Sequence, residues 1–571
     1  MPRAGELVLP RDGAVAGPAA AAACKALGWA IHDTGIVTAH LDTTFPAQGY
    51  RLSVRPDGAT IVGGDPAGVF YGACTLAQLV VDHRVPCVEI EDHPDRLIRA
   101  VMLDVSRDKV PTMATLRALI DLLASWKINE LQLYVEHTFA YAAHREVWAA
   151  ASPLTAEEIR ELDAYCRERF VSLVPNQNSF GHLERWFVHE RYRSLAETPG
   201  GIELPWGEIT KAPFTLAPSA EGLAFLDGLY RELLPNFAST RFNVGCDETY
   251  DLGLGKSRAR VEAVGRPRVW LDFVREIHAL AARHGHSIQV WGDTVRRHPE
   301  LFPELPRDLT ILDWGYDRER SLAPTAERLA TAGQPFYVCP GTSSWTSLTG
   351  RTDNAVANIL DAVEVARRFG ARGVMVTDWG DGGHWQPLPI SYLGFAWTAA
   401  LAWSLDANRA LDLPRVLDRF AFHTPGMGQL VWDLGNTYLR PGFRRGNSSI
   451  LYWFYTATLA EMRASWLPRI KYGPEVFVDD AAVTRGMHET IEWIDATLAQ
   501  IPAAADELVR RELLHAGAMA KHAAHRVLRA PELEAELDQL VAELVALWPR
   551  RNRPGGLVDS AGKLAASRVL L

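Results

Sequence analysis

Two carboxylates stand side by side where a short, mostly apolar stretch of the chain ends. Asp247 and Glu248 follow Asn243-Val244-Gly245-Cys246, a run that predicts the end of a buried β-strand. Because successive side chains of a strand point to opposite sides, the two carboxyl groups could reach two sides of one ligand. Repulsion between the charges in apolar surroundings would keep a proton on one of them near neutral pH. The pair therefore predicts acid–base chemistry, with a helix N-cap or a salt-bridged pair as the structural alternative.

Carboxylate and indole side chains dominate the polar and aromatic positions that follow the predicted strands. Carboxyl groups move protons in glycoside chemistry, and the flat faces of Trp suit the faces of a sugar ring. These positions are Asp104, Glu136, His137, Asn176, Asn178, His182, Asp247, Glu248, Trp291, Asp293, Trp314, Tyr316, Tyr337, Trp345, Trp379, Asp381 and Trp385. The mixture predicts acid–base chemistry on a neutral, polyhydroxylated ring.

The elements that must position these side chains alternate between strand-like and helix-like patterns. Most of the strand-like runs are separated by segments with helical spacing, so the region 96–405 predicts a closed (β/α)8 barrel, in which functional residues follow the carboxyl ends of the strands. A doubly wound open sheet is disfavoured, because no Gly-rich phosphate turn follows the first strand. The predicted strands are Ala100–Val105, Glu130–Val135, Val171–Pro175, Phe242–Cys246, Ser287–Trp291, Leu309–Trp314, Pro335–Cys339 and Gly373–Thr377.

The regions on either side of the barrel differ in pattern. Residues 1–95 predict a small α/β domain, with a strand over Tyr50–Val54 and a helix from Asp65 to about Val81 that Asp65 caps. The stretch Glu89–Pro94 is interpreted as a linker to the barrel. Residues 406–571 lack further strand patterns, and we expect a helical C-terminal region.

Bulk composition limits the classes of partner. The chain has 571 residues, 48% hydrophobic and 22% charged, with a formal net charge of −10 and no long basic run. Nucleic acid and anionic membranes are therefore disfavoured as partners. The six cysteines form no CxxC pair, and neither a signal-type apolar segment nor a membrane-length apolar run is present. We expect a cytoplasmic protein with free thiols, no cofactor and no metal ion, while the oligomeric state is left open.

An ordered set of motifs gives the chain a family resemblance from about Tyr50 to Trp403. The set resembles the family-20 glycoside hydrolases, the β-N-acetylhexosaminidases, and within them the branch that includes hexosaminidase D. The resemblance implies retaining hydrolysis of terminal β-linked N-acetylglucosamine or N-acetylgalactosamine in amino-sugar glycosides or oligosaccharides. The motifs are Gly68-Val69-Phe70-Tyr71-Gly72, Thr75-Leu76-Ala77-Gln78-Leu79, Arg99 with Met102-Leu103-Asp104, Ser179-Phe180-Gly181-His182 and Gly245-Cys246-Asp247-Glu248.

The same resemblance implies roles for the acidic pair. Glu248 resembles the general acid/base that protonates the leaving oxygen. Asp247 resembles the residue that orients the substrate's 2-acetamido group, which itself attacks the anomeric carbon in place of an enzyme carboxylate.

Further site residues are implied by position. Arg99 resembles the arginine that binds ring hydroxyls at the pocket floor, and His182 a pocket histidine near the general acid. Glu136 occupies the place of an acidic residue on the second strand. Trp379-Gly380-Asp381 resembles a Trp-x-Glu element whose acid binds distal hydroxyls, although Asp381 is one methylene shorter.

The walls of the acetamido pocket are implied in the same way. Trp291 and Trp314 resemble its indole walls, and Tyr337 resembles a tyrosine that donates a hydrogen bond to the acetamido oxygen. In many relatives that tyrosine belongs to a Tyr-x-Asp pair, whereas this chain has Cys339 in the place of the acid. The departure bears on sugar preference more than on the type of reaction.

Two other classes of function were weighed against this one. A metal-dependent amidohydrolase on the same barrel could use the ligand pair of His284-Gly285-His286, but that pair precedes the fifth strand instead of following the first. A non-catalytic sugar-binding protein is the second alternative, and it would have no need for a proton donor beside Asp247.

Overall fold

The computed structural model describes residues 2–203 and 210–570, and its first part is a mixed β-sheet with helices against it. Within the described residues this sheet has seven strands in the order β1-β7-β5-β6-β4-β2-β3. The strands are β1 (Pro2–Val8), β2 (Ala14–Ala16), β3 (Ala30–Ile31), β4 (Val37–Leu41), β5 (Tyr50–Arg55), β6 (Gly58–Gly63) and β7 (Arg84–Asp92), and the helices are α1 (Ala20–Leu27) and α2 (Pro66–Leu79).

Local sequence signals set the bounds of α2 as predicted, but the linker was predicted wrongly. The Asp65 carboxylate accepts a hydrogen bond from the Gly68 amide at 2.7 Å, which satisfies one of the free N–H groups at the helix start. The segment interpreted as a linker is instead paired, because β7 continues to Asp92 opposite Tyr50 of β5.

A closed parallel barrel follows, and it confirms the predicted fold class. Across the described residues, eight parallel strands are hydrogen-bonded in the order β10-β9-β8-β17-β16-β15-β14-β13, and a parallel bridge between Asn176 and Asn243 closes the ring. In chain order, including a small hairpin outside the barrel (β11, β12), the strands are β8 (Ile98–Asp104), β9 (Glu130–Tyr134), β10 (Ser172–Val174), β11 (Ile202–Glu203), β12 (Thr210–Lys211), β13 (Arg241–Asn243), β14 (Ser287–Trp291), β15 (Thr310–Trp314), β16 (Phe336–Cys339) and β17 (Gly373–Asp378).

Helices surround the barrel and bury one apolar side against it. In α3, Leu116, Leu119, Ile120 and Leu123 are buried, as their spacing predicts. Thr155 and Glu158 form the predicted capping box at the start of α5. These helices are α3 (Met113–Ser125), α4 (Arg145–Trp148), α5 (Ala156–Arg167), α6 (Glu184–Phe187), α7 (Glu190–Arg193), α8 (Ala220–Leu233), α9 (Arg258–Val264), α10 (Arg266–Arg283), α11 (Asp293–Arg297), α12 (Ala323–Thr331), α13 (Thr352–Phe369) and α14 (Leu388–Trp403).

The C-terminal region is helical, as predicted, and it also contains a short hairpin that the sequence did not indicate. The hairpin pairs β18 with β19 antiparallel. The elements are α15 (Leu405–Asn408), α16 (Leu413–Leu417), α17 (Met427–Leu434), β18 (Arg444–Arg445), α18 (Ile450–Trp453), α19 (Leu459–Trp466), β19 (Ile470–Tyr472), α20 (Pro474–Val478), α21 (Asp480–Leu498), α22 (Glu507–Leu528), α23 (Leu533–Arg551) and α24 (Leu557–Ala566).

This region packs on the loop that follows the first barrel strand. The Arg553 amide donates to the Val110 carbonyl at 2.8 Å, and Lys563 on α24 lies 2.8 Å from the buried Asp108 carboxylate. The helical region therefore supports a loop at the carboxyl rim of the barrel, where the predicted site lies.

Two further expectations from the sequence can be checked on the structure. All six cysteines fall within the described residues and are free thiols, as expected. Within residues 2–203 and 210–570, no helix combines the length and the apolar character needed to cross a lipid bilayer.

Candidate active site

A cavity of about 500 Å³ opens at the carboxyl ends of the barrel strands. Its walls combine acidic, basic and aromatic side chains from the barrel loops with a segment of the C-terminal region. The lining residues are Arg107, His182, Asp247, Glu248, Tyr250, Trp291, Trp314, Tyr316, Trp345, Thr346, Trp379, Asp381, Arg445, Gly446, Asn447, Ser448 and Trp453. The predicted residues Glu248, Asp247, His182, Trp291, Trp314, Trp379 and Asp381 are therefore brought together.

The acidic pair lies in a sharp turn and not in a strand. β13 ends at Asn243, three residues earlier than predicted, and Gly245, Cys246 and Glu248 have positive φ of 70°, 68° and 48°. A Cβ on Gly245 would lie 2.0 Å from the Asn178 side-chain oxygen, so this position requires glycine. The two carboxylates therefore project from a left-handed turn and not from alternating positions of a strand, and one oxygen of each lies within 4.8 Å of the other. Such backbone conformations are concentrated at functional sites.

The two carboxylates differ in depth. The Asp247 side chain is 11% exposed and that of Glu248 is 33% exposed. Asp247 Oδ1 is buried and has no hydrogen-bond partner among the described residues. A buried carboxylate oxygen without a partner is costly, so a ligand N–H or O–H in the cavity would stabilise it. Glu248 is instead reachable from the cavity mouth.

His182 connects the acidic groups. Its Nε2 lies 3.3 Å from Asp247 and 3.5 Å from Glu248, and its Nδ1 lies 3.8 Å from Glu136. Burial by itself would lower the pKa of His182, but the charges of Asp247 and Glu248 raise that pKa to about 9. The imidazole is therefore protonated at neutral pH and holds the carboxylates in place as a cation.

A third carboxylate lies behind the pair. The Glu248 amide donates to Asp293 Oδ2 at 3.3 Å. Burial, and then repulsion from Asp247 and Glu248, raises the pKa of Asp293 to about 7. Burial and the charges of the pair thus raise the pKa of a third carboxyl group, which lies two residues after β14.

Aromatic rings wall the deep part of the cavity. Trp291 and Trp379 have ring centroids 5.7 Å apart, and Trp314 stacks on Tyr316 at 5.2 Å. The Trp379 indole N–H donates to the Tyr316 hydroxyl at 2.9 Å. The Nε1 donors of Trp291 and Trp314 are buried without a partner in the described part of the chain. The rings of Trp291, Trp314, Tyr316 and Trp379 form an aromatic box. Its faces are apolar and its edges carry unpaired N–H donors, which suits a small amide-bearing group.

The arginine of the cavity is Arg107, which follows β8. Its guanidinium lies 3.0 Å from Asp104, 3.6 Å from Glu136 and 3.7 Å from Asp381. It also packs over the ring of Trp379, 5.0 Å from the centroid. Three carboxylates thus fix the orientation of a planar set of donors at the cavity.

The prediction that Arg99 lies at the pocket floor is wrong. Arg99 lies at the start of β8, fully buried at the amino end of the barrel. Its side chain donates to the carbonyls of Lys127 at 2.7 Å and Arg96 at 2.6 Å and to the Gln48 side chain at 2.9 Å. Because the remaining five residues of β8 separate it from the carboxyl rim, Arg99 joins the barrel to the first domain and does not reach the cavity.

The prediction for Tyr337 is also wrong, for a related reason. Tyr337 is the second residue of β16, and its hydroxyl donates to Glu130, the first residue of β9, at 3.3 Å. The ring is therefore buried in the barrel interior below the cavity, as is Cys339. The tyrosine in the aromatic box is Tyr316, which follows β15.

Glu136 and Asp381 lie on the side of the cavity that Arg107 occupies. Glu136 is buried, accepts a hydrogen bond from Tyr134 at 2.9 Å and lines an adjoining cavity of about 260 Å³. The Asp381 side chain is 43% exposed and lines both cavities. Asp381 is therefore open to both cavities, whereas the Glu136 carboxylate lies 3.6 Å from Arg107 and 3.8 Å from His182.

Metal-ligand chemistry was considered for the same residues. Among the described residues, one candidate cluster of donors is found, in which ligand atoms of His182, Asp247 and Glu248 lie within 4.8 Å of one another. In this structure His182 Nε2 pairs with both carboxylates, at 3.3 Å from Asp247 and 3.5 Å from Glu248. His284 and His286 of the amidohydrolase hypothesis lie elsewhere, before β14, with His284 2.8 Å from Asp227.

Several cavity residues were missed by the site prediction. Tyr250 lies against Glu248, and burial followed by the Glu248 charge raises the pKa of its hydroxyl. Arg107 comes three residues after β8 and Tyr250 seven residues after β13, so both lie in loops at the carboxyl ends of strands, where functional residues of such barrels occur. Arg445 and Trp453 come from the C-terminal region, and no local sequence signal ties them to the barrel.

Comparison with known proteins finds matches to one glycoside hydrolase family. Residues 12–93 match the family model for glycosyl hydrolase family 20, domain 2, and residues 98–359 match the model for the family's catalytic domain. A beta-hexosaminidase of Akkermansia muciniphila is 26% identical over 290 residues, covering 45% of this chain and 58% of that protein. Hexosaminidase D of Bos taurus is 24% identical over 304 residues, covering 49% of this chain and 84% of the relative.

Solved structures resemble the whole chain in fold. The chitobiase of Flavobacterium johnsoniae superposes with a TM-score of 0.61 at 16% identity, covering 99% of this chain and 97% of that one. The chain spans little more than half the length of the Akkermansia relative. The two family-model matches lie in the first domain and the barrel.

Proposed function

The chain belongs to glycosyl hydrolase family 20, and from this membership and the site geometry we propose that it is a retaining β-N-acetylhexosaminidase. The proposed substrates are glycosides and oligosaccharides that end in β-linked N-acetylglucosamine or N-acetylgalactosamine. The observation that carries the proposal is the pairing of a buried, unpartnered Asp247 oxygen with a more exposed Glu248 at one cavity.

The proposed mechanism uses the substrate's own acetamido group as nucleophile. The acetamido group occupies the box of Trp291, Trp314 and Trp379, and its N–H donates to the free Asp247 oxygen. Its oxygen then attacks the anomeric carbon and forms a cyclic oxazolinium. Asp247 stabilises the positive charge that develops near the nitrogen, which is electrostatic preorganisation. Tyr316 takes the role first assigned to Tyr337, donating its hydroxyl proton to the acetamido oxygen.

Glu248 provides the proton transfers. Its carboxylic acid protonates the glycosidic oxygen as the bond to the anomeric carbon breaks, and its carboxylate then deprotonates the water that opens the oxazolinium. Two inversions at the anomeric carbon give a product that keeps the β configuration. His182 is a positioning residue, because its cationic ring contacts both Asp247 and Glu248 and offsets the repulsion between them.

The proposed contacts to ring hydroxyls come from the opposite side of the cavity. The guanidinium of Arg107 offers paired donors, and Asp381 offers an acceptor beside it. Fixing the ring by these contacts while the aromatic box holds the acetamido group keeps the nucleophile close to its target. Such alignment accelerates reactions strongly compared with free reactants.

The test compares an aryl 2-acetamido-β-glucoside with its 2-hydroxy counterpart. We expect kcat/KM to differ by at least about 1000-fold, because the 2-hydroxy substrate lacks the nucleophile and the advantage of its alignment. A thiazoline analogue of the oxazolinium should inhibit competitively. Comparable rates on the two substrates, or a glycosyl ester trapped on an enzyme carboxylate, would contradict the mechanism. No turnover on any amino-sugar glycoside would favour a non-catalytic sugar-binding protein.

A further inference from the structure

The mouth of the cavity is partly built by the C-terminal hairpin, outside the barrel. Arg445 at the end of β18, the segment Gly446–Ser448 and Trp453 on α18 all line the cavity. The hairpin is held over the loops after β15 and β16. The Ser449 amide donates to the Thr346 carbonyl at 3.0 Å, and the Asn447 amide donates to Asp317 at 2.8 Å. This part of the rim is therefore fixed relative to the deep site.

Arg445 occupies a corner between two indole rings. Its guanidinium carbon lies 4.2 Å from the Trp453 ring centroid and 4.7 Å from that of Trp466. The two rings are nearly perpendicular, at 86°. Cation–π contacts of this kind fix the guanidinium plane while its N–H edges remain able to donate.

The charge on Arg445 has no acidic partner in the protein as far as the structure describes it. Within residues 2–203 and 210–570, its side chain makes neither an ion pair nor a hydrogen bond. Burial, and then the neighbouring Arg469, lowers the pKa of Arg445 to about 10, so the group remains a cation at neutral pH. A half-buried cation without a counter-charge is costly and would gain from an anionic ligand.

The depth of the cavity residues indicates which part of a substrate meets this cation. The deep box is closed by buried rings, including Trp345 and Trp379, and holds the amino sugar under the proposed function. The glycosidic oxygen lies at Glu248, which is one-third exposed. What lies beyond that oxygen, the aglycone, must leave towards the rim, where Arg445 and the exposed Asn447 lie.

We propose that Arg445, held between Trp453 and Trp466, forms an aglycone-binding site that selects substrates with an anionic group, a carboxylate or a sulfate, on the residue next to the cleaved amino sugar. The proposal rests on the proposed function for the identity of the cleaved sugar. The planar fork of the guanidinium suits two oxygens of one carboxylate or sulfate. It would also offset the repulsion that Asp247, Glu248 and Asp381 exert on an anion entering the cavity.

The test uses two disaccharides that differ only in the charge of the aglycone. One is N-acetyl-β-glucosaminyl-(1→4)-glucose and the other has glucuronic acid in place of glucose. We expect wild type to have the higher kcat/KM on the acidic substrate at low salt. Arg445→Gln should lower the ratio of acidic to neutral kcat/KM by about tenfold, as expected for loss of one charge-assisted contact. Arg445→Lys, which keeps the charge without the fork, should lower it less.

A matched control is the adjacent Arg444. Its guanidinium packs on Tyr472, 4.2 Å from the ring centroid, and Arg444 is not among the residues that line the cavity. Arg444→Gln should therefore keep the wild-type ratio. The proposal is overturned if Arg445→Gln keeps the ratio within twofold of wild type, or if Arg444→Gln lowers it equally. It is also overturned if raising the ionic strength leaves the wild-type ratio unchanged, because a contact at the cavity rim is screened by salt.

Binding to Glu248→Gln, measured by calorimetry, separates this proposal from the proposed function. If no disaccharide is hydrolysed by wild type but the acidic one binds more tightly through Arg445, the anion site stands and the hydrolase proposal fails. Equal binding of both disaccharides, unaffected by Arg445→Gln, overturns the anion site whatever the activity. A 6-sulfated aglycone should behave like glucuronic acid. An advantage found only when the sulfate is on the amino sugar itself contradicts the assignment to the aglycone.

Discussion

Exchanging arginine for lysine at two positions tests the assignment of Arg107, and not Arg99, to the catalytic cavity. Both residues belong to the first βα unit of the barrel, and both substitutions keep the positive charge. The structure places Arg107 beside three carboxylates at the cavity and Arg99 at the opposite end of β8. Arg107→Lys should therefore lower catalytic activity, whereas Arg99→Lys should lower thermal stability.

The expected size of the Arg107→Lys effect follows from its contacts. A single ammonium can stay near Asp104, 3.0 Å away in the wild type, but it has no second donor fixed towards the cavity. Losing one hydrogen bond from a charged donor to substrate costs about 2–3 kcal/mol, which corresponds to roughly a 30- to 150-fold fall in kcat/KM. Steady-state kinetics on an aryl N-acetyl-β-glucosaminide measures this loss.

Arg99→Lys should give the opposite pattern. Lysine can satisfy one of the three acceptors at Lys127, Arg96 and Gln48. The Arg96 and Gln48 acceptors are only part-buried, and Gln48 also accepts from Asn129. The loss should therefore be about 1–3 kcal/mol in total, and the thermal midpoint should fall by roughly 2 °C or more. The kcat/KM of the folded enzyme should stay within about threefold of wild type, since Arg99 touches no cavity residue. Full activity of Arg107→Lys, or a large activity loss in Arg99→Lys without loss of stability, would refute the assignment.

Three further predictions concern the acid, the histidine and the tyrosines. Glu248→Gln should lower hydrolysis of substrates with poor leaving groups by about 100-fold or more and that of activated aryl substrates less, and equal losses on both would count against Glu248 as the acid. The pKa of His182 is raised to about 9, above the unfolded value, so its contribution to the free energy of unfolding is complete below about pH 6.5 and is lost as the pH rises through about 9. His182→Gln should remove that part of the fall in unfolding free energy at alkaline pH, measured by urea titration. An unchanged pH profile would contradict the assignment. Tyr316→Phe should lower kcat/KM on 2-acetamido substrates by about tenfold through loss of one hydrogen bond, whereas Tyr337→Phe should affect mainly stability, and kinetics showing the reverse order would restore the original assignment.

Residues close together in the chain were predicted well. The eight strands, the capped helices α2 and α5 and the buried stripe of α3 all follow from periodicity and capping, which are properties of a few neighbouring residues. The adjacency of Asp247 and Glu248 is a fact of the sequence, and the barrel rule brings their loop to the same rim as His182, Trp291, Trp314 and Trp379. The family resemblance predicted the reaction for these groups, the hydrolysis of N-acetylhexosaminides.

The wrong predictions concern residues of the expected type that lie at the wrong end of a barrel strand. Arg99 and Tyr337 lie at the amino ends of β8 and β16, whereas Arg107 and Tyr316 follow the carboxyl ends of β8 and β15. The sequence already contained this distinction, because the rule that selects carboxyl ends of strands applies to arginine and tyrosine as well as to acids.

The sequence by itself determined the barrel, its helices and the acidic pair, and only the tertiary structure decided how deep each group lies and what covers the mouth. Asp247 and Glu248 project from a left-handed turn at Gly245, where the Asn178 side chain of another loop fills the space that a Cβ would need. The raised pKa of Asp293 arises from charges that the fold brings together. Arg445 reaches the cavity from almost 200 residues beyond Glu248, through contacts with Thr346 and Asp317. The periodicity of a sequence predicts which face of a helix or strand is buried. It does not predict which distant part of the chain covers that face, because that depends on the packing of the whole chain.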